Sequence, residues 1–206
     1  MEVEKTKRGI PKAQPVEPIK EIKDISKIKQ YLKGKANKRD YMLFVVGINV
    51  GLRAGDLLQL KIGDVLEDGK IVDSVKIQEE KTDKLREFVI NDSAKEAIKL
   101  YLDSLKVFKP DDYLFKSRKG NGHIEVEYAH SIIKSTLRDL KIKGNYGTHS
   151  LRKTFAYHTY VTNHKGNPLI LPTLQEILNH SSQKITLRYI GITKEEIKDI
   201  YSSLNL

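Results

Sequence analysis

The chain has 206 residues, 39% hydrophobic and 31% charged, enough for one sizeable domain with a real core. It has no cysteine, which excludes disulfides and thiolate chemistry, and its longest apolar run, 41–50, is too short to span a bilayer. The net charge is +10, with 12 Lys and Arg against 6 acids in residues 1–40, and this points to a polyanionic partner, nucleic acid first.

Residues 1–18 carry three prolines and little apolar content, and read as a flexible basic arm ahead of a domain over 19–206. The N-terminus is charged and lacks an apolar signal segment, which argues for a cytoplasmic protein. Ile22, Ile25, Ile28 and Leu32 share one helical face and predict a helix ending near Gly34. A second helix is expected at about 38–50, stopped by Gly51, and Arg53 then sits at a turn into a short helix over 55–60. Residues 71–79 and 85–90 predict two strands joined at KTDK. A helix over 93–105 is expected to be capped by Asp92 or Ser93. A loop rich in Gly and Lys at 117–123 precedes helices at about 127–140, 149–162, 173–179, 183–190 and 193–203. The fold class is mainly α with a small antiparallel β-sheet, that is α+β.

Certain side chains stand out against this frame. His149 and Arg152 are three apart on one helix and share a face, whereas Lys153 is expected to point elsewhere. His180 and Tyr189 are nine apart. In an unbroken helix that spacing puts them on opposite faces, so convergence needs a break, and Ser181-Ser182 offers one. Arg53 has Asp56 three residues on as a ready partner. Lys81 lies at a hairpin tip with Lys84 and Arg86. Each residue taken singly has an ordinary explanation: a capping His, a surface Arg, a solvated basic turn, a half-buried Tyr.

Taken together, the segments GLRAGDLLQL, EEKTDKLREFVI, THSLRKTFA and LQEILNHSSQKITLRYIGI resemble, in order and wording, the boxes of the tyrosine recombinases, the phage-integrase and Xer-like family. The resemblance runs from roughly residue 20 to the C-terminus and is most specific in the last third. It implies the tyrosine recombinase catalytic-domain fold and an enzyme that cleaves and rejoins double-stranded DNA through a 3′-phosphotyrosyl intermediate, with no metal, ATP or cofactor. By the same resemblance Tyr189 is the nucleophile and His149 its proton acceptor. Arg53 and Arg152 clamp the non-bridging oxygens, Lys81 protonates the leaving 5′-oxygen, and His180 hydrogen-bonds a phosphate oxygen. The chemistry is consistent: a phenol with a pKa near 10 needs a base or a positive field, and the guanidinium fork grips two oxygens.

The family usually carries a separate helical DNA-binding domain before the catalytic one, and only a short basic arm stands there in this chain. Lys33, Lys35, Lys38, Arg39, Lys84 and Arg86 are the further candidates for DNA contact. Self-association into dimers or tetramers on DNA, and an accessory DNA-binding protein, are expected partners; no membrane is. Two other readings stand beside the recombinase: a type IB topoisomerase-like strand cleaver, and a DNA-binding regulator that keeps the fold without the chemistry.

Overall fold

A computed structural model describes residues 15–80, 83–191 and Ser202. Residues 15–21 lead into α1 (Ile22–Gly34), which buries Ile25, Ile28 and Leu32 along the expected stripe, whereas Ile22, the first member of that stripe, is exposed in the first turn. The next helix, α2 (Lys38–Val50), is the centre of the molecule. Met42, Leu43, Phe44, Val45 and Val46 are successive residues and all are buried, so this helix is covered on every side. It ends at Gly51, which has φ 63° and lies against the Phe155 ring, where a side chain would clash.

Two short helices follow, α3 (Ala54–Leu58) and α4 (Ile62–Val65). Next come β1 (Leu66–Glu67) and β2 (Lys70–Ile71), a minimal hairpin. Its turn is Asp68-Gly69, with φ 48° and 74°, a pair that suits a tight turn needing two positive φ values. The expected strand over 71–79 is therefore split: residue 71 belongs to this first hairpin. The second hairpin pairs β3 (Ser74–Gln78) with β4 (Leu85–Val89) antiparallel, Ser74 opposite Val89 and Gln78 opposite Leu85.

Helix α5 (Asp92–Asp103) packs on α2 and is capped by Asn91, whose side-chain oxygen accepts the Ala94 N–H, rather than by Asp92 or Ser93. α6 (Val126–Asp139) and α7 (Thr148–Asn163) complete the main core with α1 and α2. α8 (Ile170–Ile177) begins three residues earlier than its expected start at 173, because Pro172 falls in the first turn, where no N–H is required. α9 (Gln183–Ile190) starts at Ser182, whose hydroxyl accepts the Ile185 N–H, so the serine pair does break the chain as expected. The helix expected at 193–203 lies outside the described residues, Ser202 apart.

A second, smaller core joins α7, α8 and α9 through Ala156, Ile170, Leu174, Leu178 and Ile190. Its four branched aliphatic side chains contribute roughly 1.5–3 kcal/mol each on burial. The extended segment 15–21 inserts Ile19 into the main core and ties itself to α7 and to the end of α9. The Ile19 N–H donates to Thr154 Oγ1 at 2.8 Å, and the Ile19 carbonyl meets His158 Nε2 at 2.9 Å. Lys20 Nζ donates to the Gly191 carbonyl, at the C-cap of α9, at 3.2 Å.

Candidate active site

Four separate chain segments meet where the two cores adjoin. α9 presents Tyr189 from its last turn, half-buried against the smaller core. The first turn of α7 presents His149, and the phenol oxygen of Tyr189 lies 2.9 Å from His149 Nε2. The His180 ring meets the Tyr189 ring edge-on, with centroids 4.9 Å apart. Convergence of the two is made possible by Asn179, which has φ 49°, and by the new start at Ser182. His180 Nδ1 is held 3.1 Å from Thr186 Oγ1 on the same helix as Tyr189.

Arg152 lies one turn along α7 from His149 and is 2% exposed. Its Nη1 donates to the Gly51 carbonyl and its Nη2 to the Leu178 carbonyl, both at 2.7 Å. These are the free carbonyls at the ends of α2 and α8. Two of the five guanidinium donors thus fix the group's plane, and the rest remain to face Tyr189 and whatever lies beyond it.

Arg53 occupies the N-cap position of α3. Its chief partner is not Asp56, 3.9 Å away, but Glu79, whose Oε2 lies 2.7 Å from Arg53 Nη1. Asp56 instead accepts the Glu80 N–H through Oδ1 at 3.1 Å, and its buried Oδ2 has no hydrogen-bond donor among the described residues.

The electrostatics follow from this crowding. Burial pushes the Tyr189 phenol up to about 12; the charge and hydrogen bonding of Arg152 and the charge of Arg53 oppose this but do not overcome it. Burial, then Arg152, Lys153 and Arg53, hold His149 down at about 4. Burial and the charges of Arg152, Arg53 and His149 do the same to His180, also at about 4. At neutral pH the free protein therefore holds a protonated phenol hydrogen-bonded to a neutral imidazole, among cations that Glu79 and Asp56 offset only in part. That is an anion-accepting site.

The other expected residues divide sharply. Lys81 lies outside the described residues. Lys33 is exposed, and Lys84 is exposed and donates to Asn179 Oδ1 at 3.3 Å. Lys35 is half-buried with its ammonium 4.3 Å above the Tyr31 ring. Lys38 Nζ closes the α1–α2 turn by donating to the Lys33 and Lys35 carbonyls. Arg39 and Arg86 require correction as DNA contacts. Arg39 is 3% exposed and spends its donors on Asp40 and on the Lys116 carbonyl. Arg86, on β4, is half-buried and turned inward, where it donates to Glu79 Oε1 and to the Val50 and Gly51 carbonyls. Lys153 also departs from expectation: its ammonium lies 5.2 Å from the Tyr189 ring centroid, over the face of the ring.

Glu79 was missed altogether in reading the sequence. The available signal is the alternation Val75, Ile77, Glu79, which continues the buried face of β3 onto a carboxylate. A buried acid at such a position demands cations.

With this geometry in hand, the comparisons with known proteins are specific. The model of the phage integrase family matches residues 19–196. A probable integrase/recombinase of Bacillus subtilis (strain 168), YoeC, is 40% identical over 186 residues, covering 90% of this chain and 95% of the relative. Tyrosine recombinase XerC of the same organism is 27% identical over 205 residues, covering 97% of this chain but 63% of the relative. Among solved structures, the XerA recombinase superposes with a TM-score of 0.68 at 25% identity, over 92% of this chain and 66% of that one. The XerH site-specific recombinase bound to a palindromic difH substrate, a post-cleavage complex, superposes with a TM-score of 0.69 at 22% identity, over 96% of this chain and 58% of that one. The chain thus spans nearly all of the first relative and about three fifths of XerC and XerH.

Proposed function

This chain belongs to the phage integrase family, and from that premise we propose that it is a site-specific DNA recombinase or integrase working through a 3′-phosphotyrosyl intermediate. The observation that carries the reading is the 2.9 Å contact of Tyr189 with His149, beside an arginine held rigidly by two backbone carbonyls.

In this proposal a scissile phosphate enters the positive field between Arg53 and Arg152. Its negative charge offsets theirs, which raises the proton affinity of His149. Tyr189 Oη then attacks phosphorus while its proton passes to His149 Nε2. The P–O5′ bond breaks, and Lys81 supplies the proton to the departing 5′-oxygen. Arg53 and Arg152 hold the non-bridging oxygens as their charge grows, with His180 donating one further hydrogen bond. Reversal by another 5′-hydroxyl rejoins the strand. The phosphodiester energy is kept in the phosphotyrosyl bond, so the cycle needs no ATP, and the arginines take the charge-stabilising part that a metal plays elsewhere.

The same proposal includes assembly of two or four copies on DNA, with grip added by an accessory DNA-binding protein. A duplex nicked just downstream of the scissile phosphate, so that the short fragment bearing the freed 5′-hydroxyl diffuses away, traps the covalent intermediate. The wild-type chain should form a denaturant-stable protein–DNA adduct on such a substrate. Binding without any adduct would instead identify a DNA-binding regulator that keeps the fold.

A further inference from the structure

Arg53 and Arg152 stand on different elements, α3 and α7, yet one continuous chain of contacts joins them. Arg53 Nη1 lies 2.7 Å from Glu79 Oε2, and the other oxygen of the same carboxylate takes Arg86 Nη1 at 3.3 Å. Arg86 Nη2 donates to the Gly51 carbonyl at 3.1 Å, and that carbonyl also accepts from Arg152 Nη1 at 2.7 Å. Glu79 reaches a third segment too, since Asn179 Nδ2, next to His180, donates to its Oε2 at 3.3 Å. Glu79 is 1% exposed.

Resting on the proposed strand-cleavage reading, we infer that Glu79 and Arg86 are positioning residues that set the spacing and orientation of Arg53 relative to Arg152. Neither faces the phosphate. Glu79 bridges two guanidinium groups that would otherwise repel, and Arg86 is the wedge that transfers the constraint to the Gly51 carbonyl. The carboxylate holds Arg53 through its charge and Oε2 while Oε1 takes Arg86, so the neutral amide of Glu79→Gln would leave Arg53 to reorient. Misplacement by about 1 Å of a group that must meet a transition state costs on the order of 10² in rate.

The experiment compares single-turnover cleavage of two nicked duplexes, one with an ordinary scissile phosphodiester and one with a methylphosphonate there. The methylphosphonate is neutral and has only one non-bridging oxygen, so it depends far less on paired arginines. Glu79→Gln should lose on the order of 10² in rate on the phosphodiester and little on the methylphosphonate, each relative to wild type. Breaking a buried ion pair also destabilises the fold, so Glu79→Gln/Arg86→Met, which restores the charge balance, should regain thermal stability while keeping the same substrate-dependent loss. Equal losses on both substrates, in a folded variant, would overturn the inference and leave Glu79 a stability residue. Full activity of either variant on the phosphodiester would overturn it as well. Failure of the wild type to form an adduct on either duplex is a different result, and would overturn the strand-cleavage reading itself.

Discussion

The hydroxyl of Tyr189 and Nε2 of His149 are 2.9 Å apart although 40 residues separate them in the chain. A phenol raised to about 12 beside an imidazole lowered to about 4 keeps its proton until an anion arrives. In the proposed reaction, chemistry would thereby be tied to DNA binding. Tyr189→Phe removes one oxygen and leaves the packing of the smaller core, so it should keep the fold and DNA affinity and lose the adduct completely. The chain has ten tyrosines, and an adduct persisting in the variant would move the nucleophile to another of them.

The two lowered histidines make a prediction about pH. The ordinary imidazole value of 6.5 applies in the unfolded chain, and the folded values are about 4. Between these limits the unfolded state binds more protons, so stability is fully present above pH 6.5 and falls as pH drops toward 4. Thermal melts across this window should show a declining Tm, less steep in His149→Gln/His180→Gln. Imidazole NMR should place the His149 midpoint near 4 in the free protein, and nicked DNA bound to Tyr189→Phe should raise it. A midpoint indifferent to DNA would mean that the phosphate does not enter this field.

Arg152 is held by two carbonyls, so its role depends on planar geometry as much as on charge. Arg152→Lys retains the charge but cannot reach Gly51 and Leu178 together. Cleavage should slow by about 10²–10³, the usual loss for one donor to a developing oxyanion. A rate close to wild type would reduce Arg152 to a structural tie.

Basic residues should separate into two groups by salt titration. Lys84→Ala removes an exposed ammonium beside the Asn179 turn and should flatten the salt dependence of DNA binding by up to about 0.9. Arg39→Ala removes a buried partner of Asp40 and the Lys116 carbonyl. It should cost roughly 3 kcal/mol of stability and leave the slope unchanged. A flattened slope in a folded Arg39→Ala protein would contradict the burial described above.

Lys153 holds its ammonium over the face of the Tyr189 ring, and in the proposed reaction a cation there would favour the attacking phenolate. Lys153→Met keeps the length of the side chain without its charge. Cleavage should become slower at neutral pH, with its rise displaced toward higher pH. An unshifted profile would restrict Lys153 to packing.

How much was legible beforehand depends on whether the signal was local. Gly51 and Ser182 announce their breaks through backbone chemistry that acts on the spot, and both breaks occur. Asp68-Gly69 carries an equally local hairpin signal, yet the expected strand starts only at 71 and no hairpin was expected ahead of it. The candidate site was recognisable from the order and wording of its boxes. Its internal wiring was not. Arg39 and Arg86 look like surface cations in sequence, because composition does not reveal which guanidinium groups a buried carboxylate and a handful of carbonyls will claim. Glu79 went unseen for the same reason: it gains its partners only when β3, α3 and the turn after α8 are brought together. Asp56, close to Arg53 in sequence, was the natural guess, and the distant residue lies nearer in space.

The strap formed by residues 15–21 has a consequence for the order of folding. Its bonds to Thr154, His158 and Gly191 span 135, 139 and 171 residues. Such contacts close large loops, form late, and slow folding more than local helices do. A chain emerging from the ribosome makes Ile19 and Lys20 well before their partners on α7 and at the end of α9, which follow 135 to 171 residues later. The helix carrying Tyr189 is thus anchored only when nearly the whole domain exists, and incomplete nascent chains cannot assemble the tyrosine against His149.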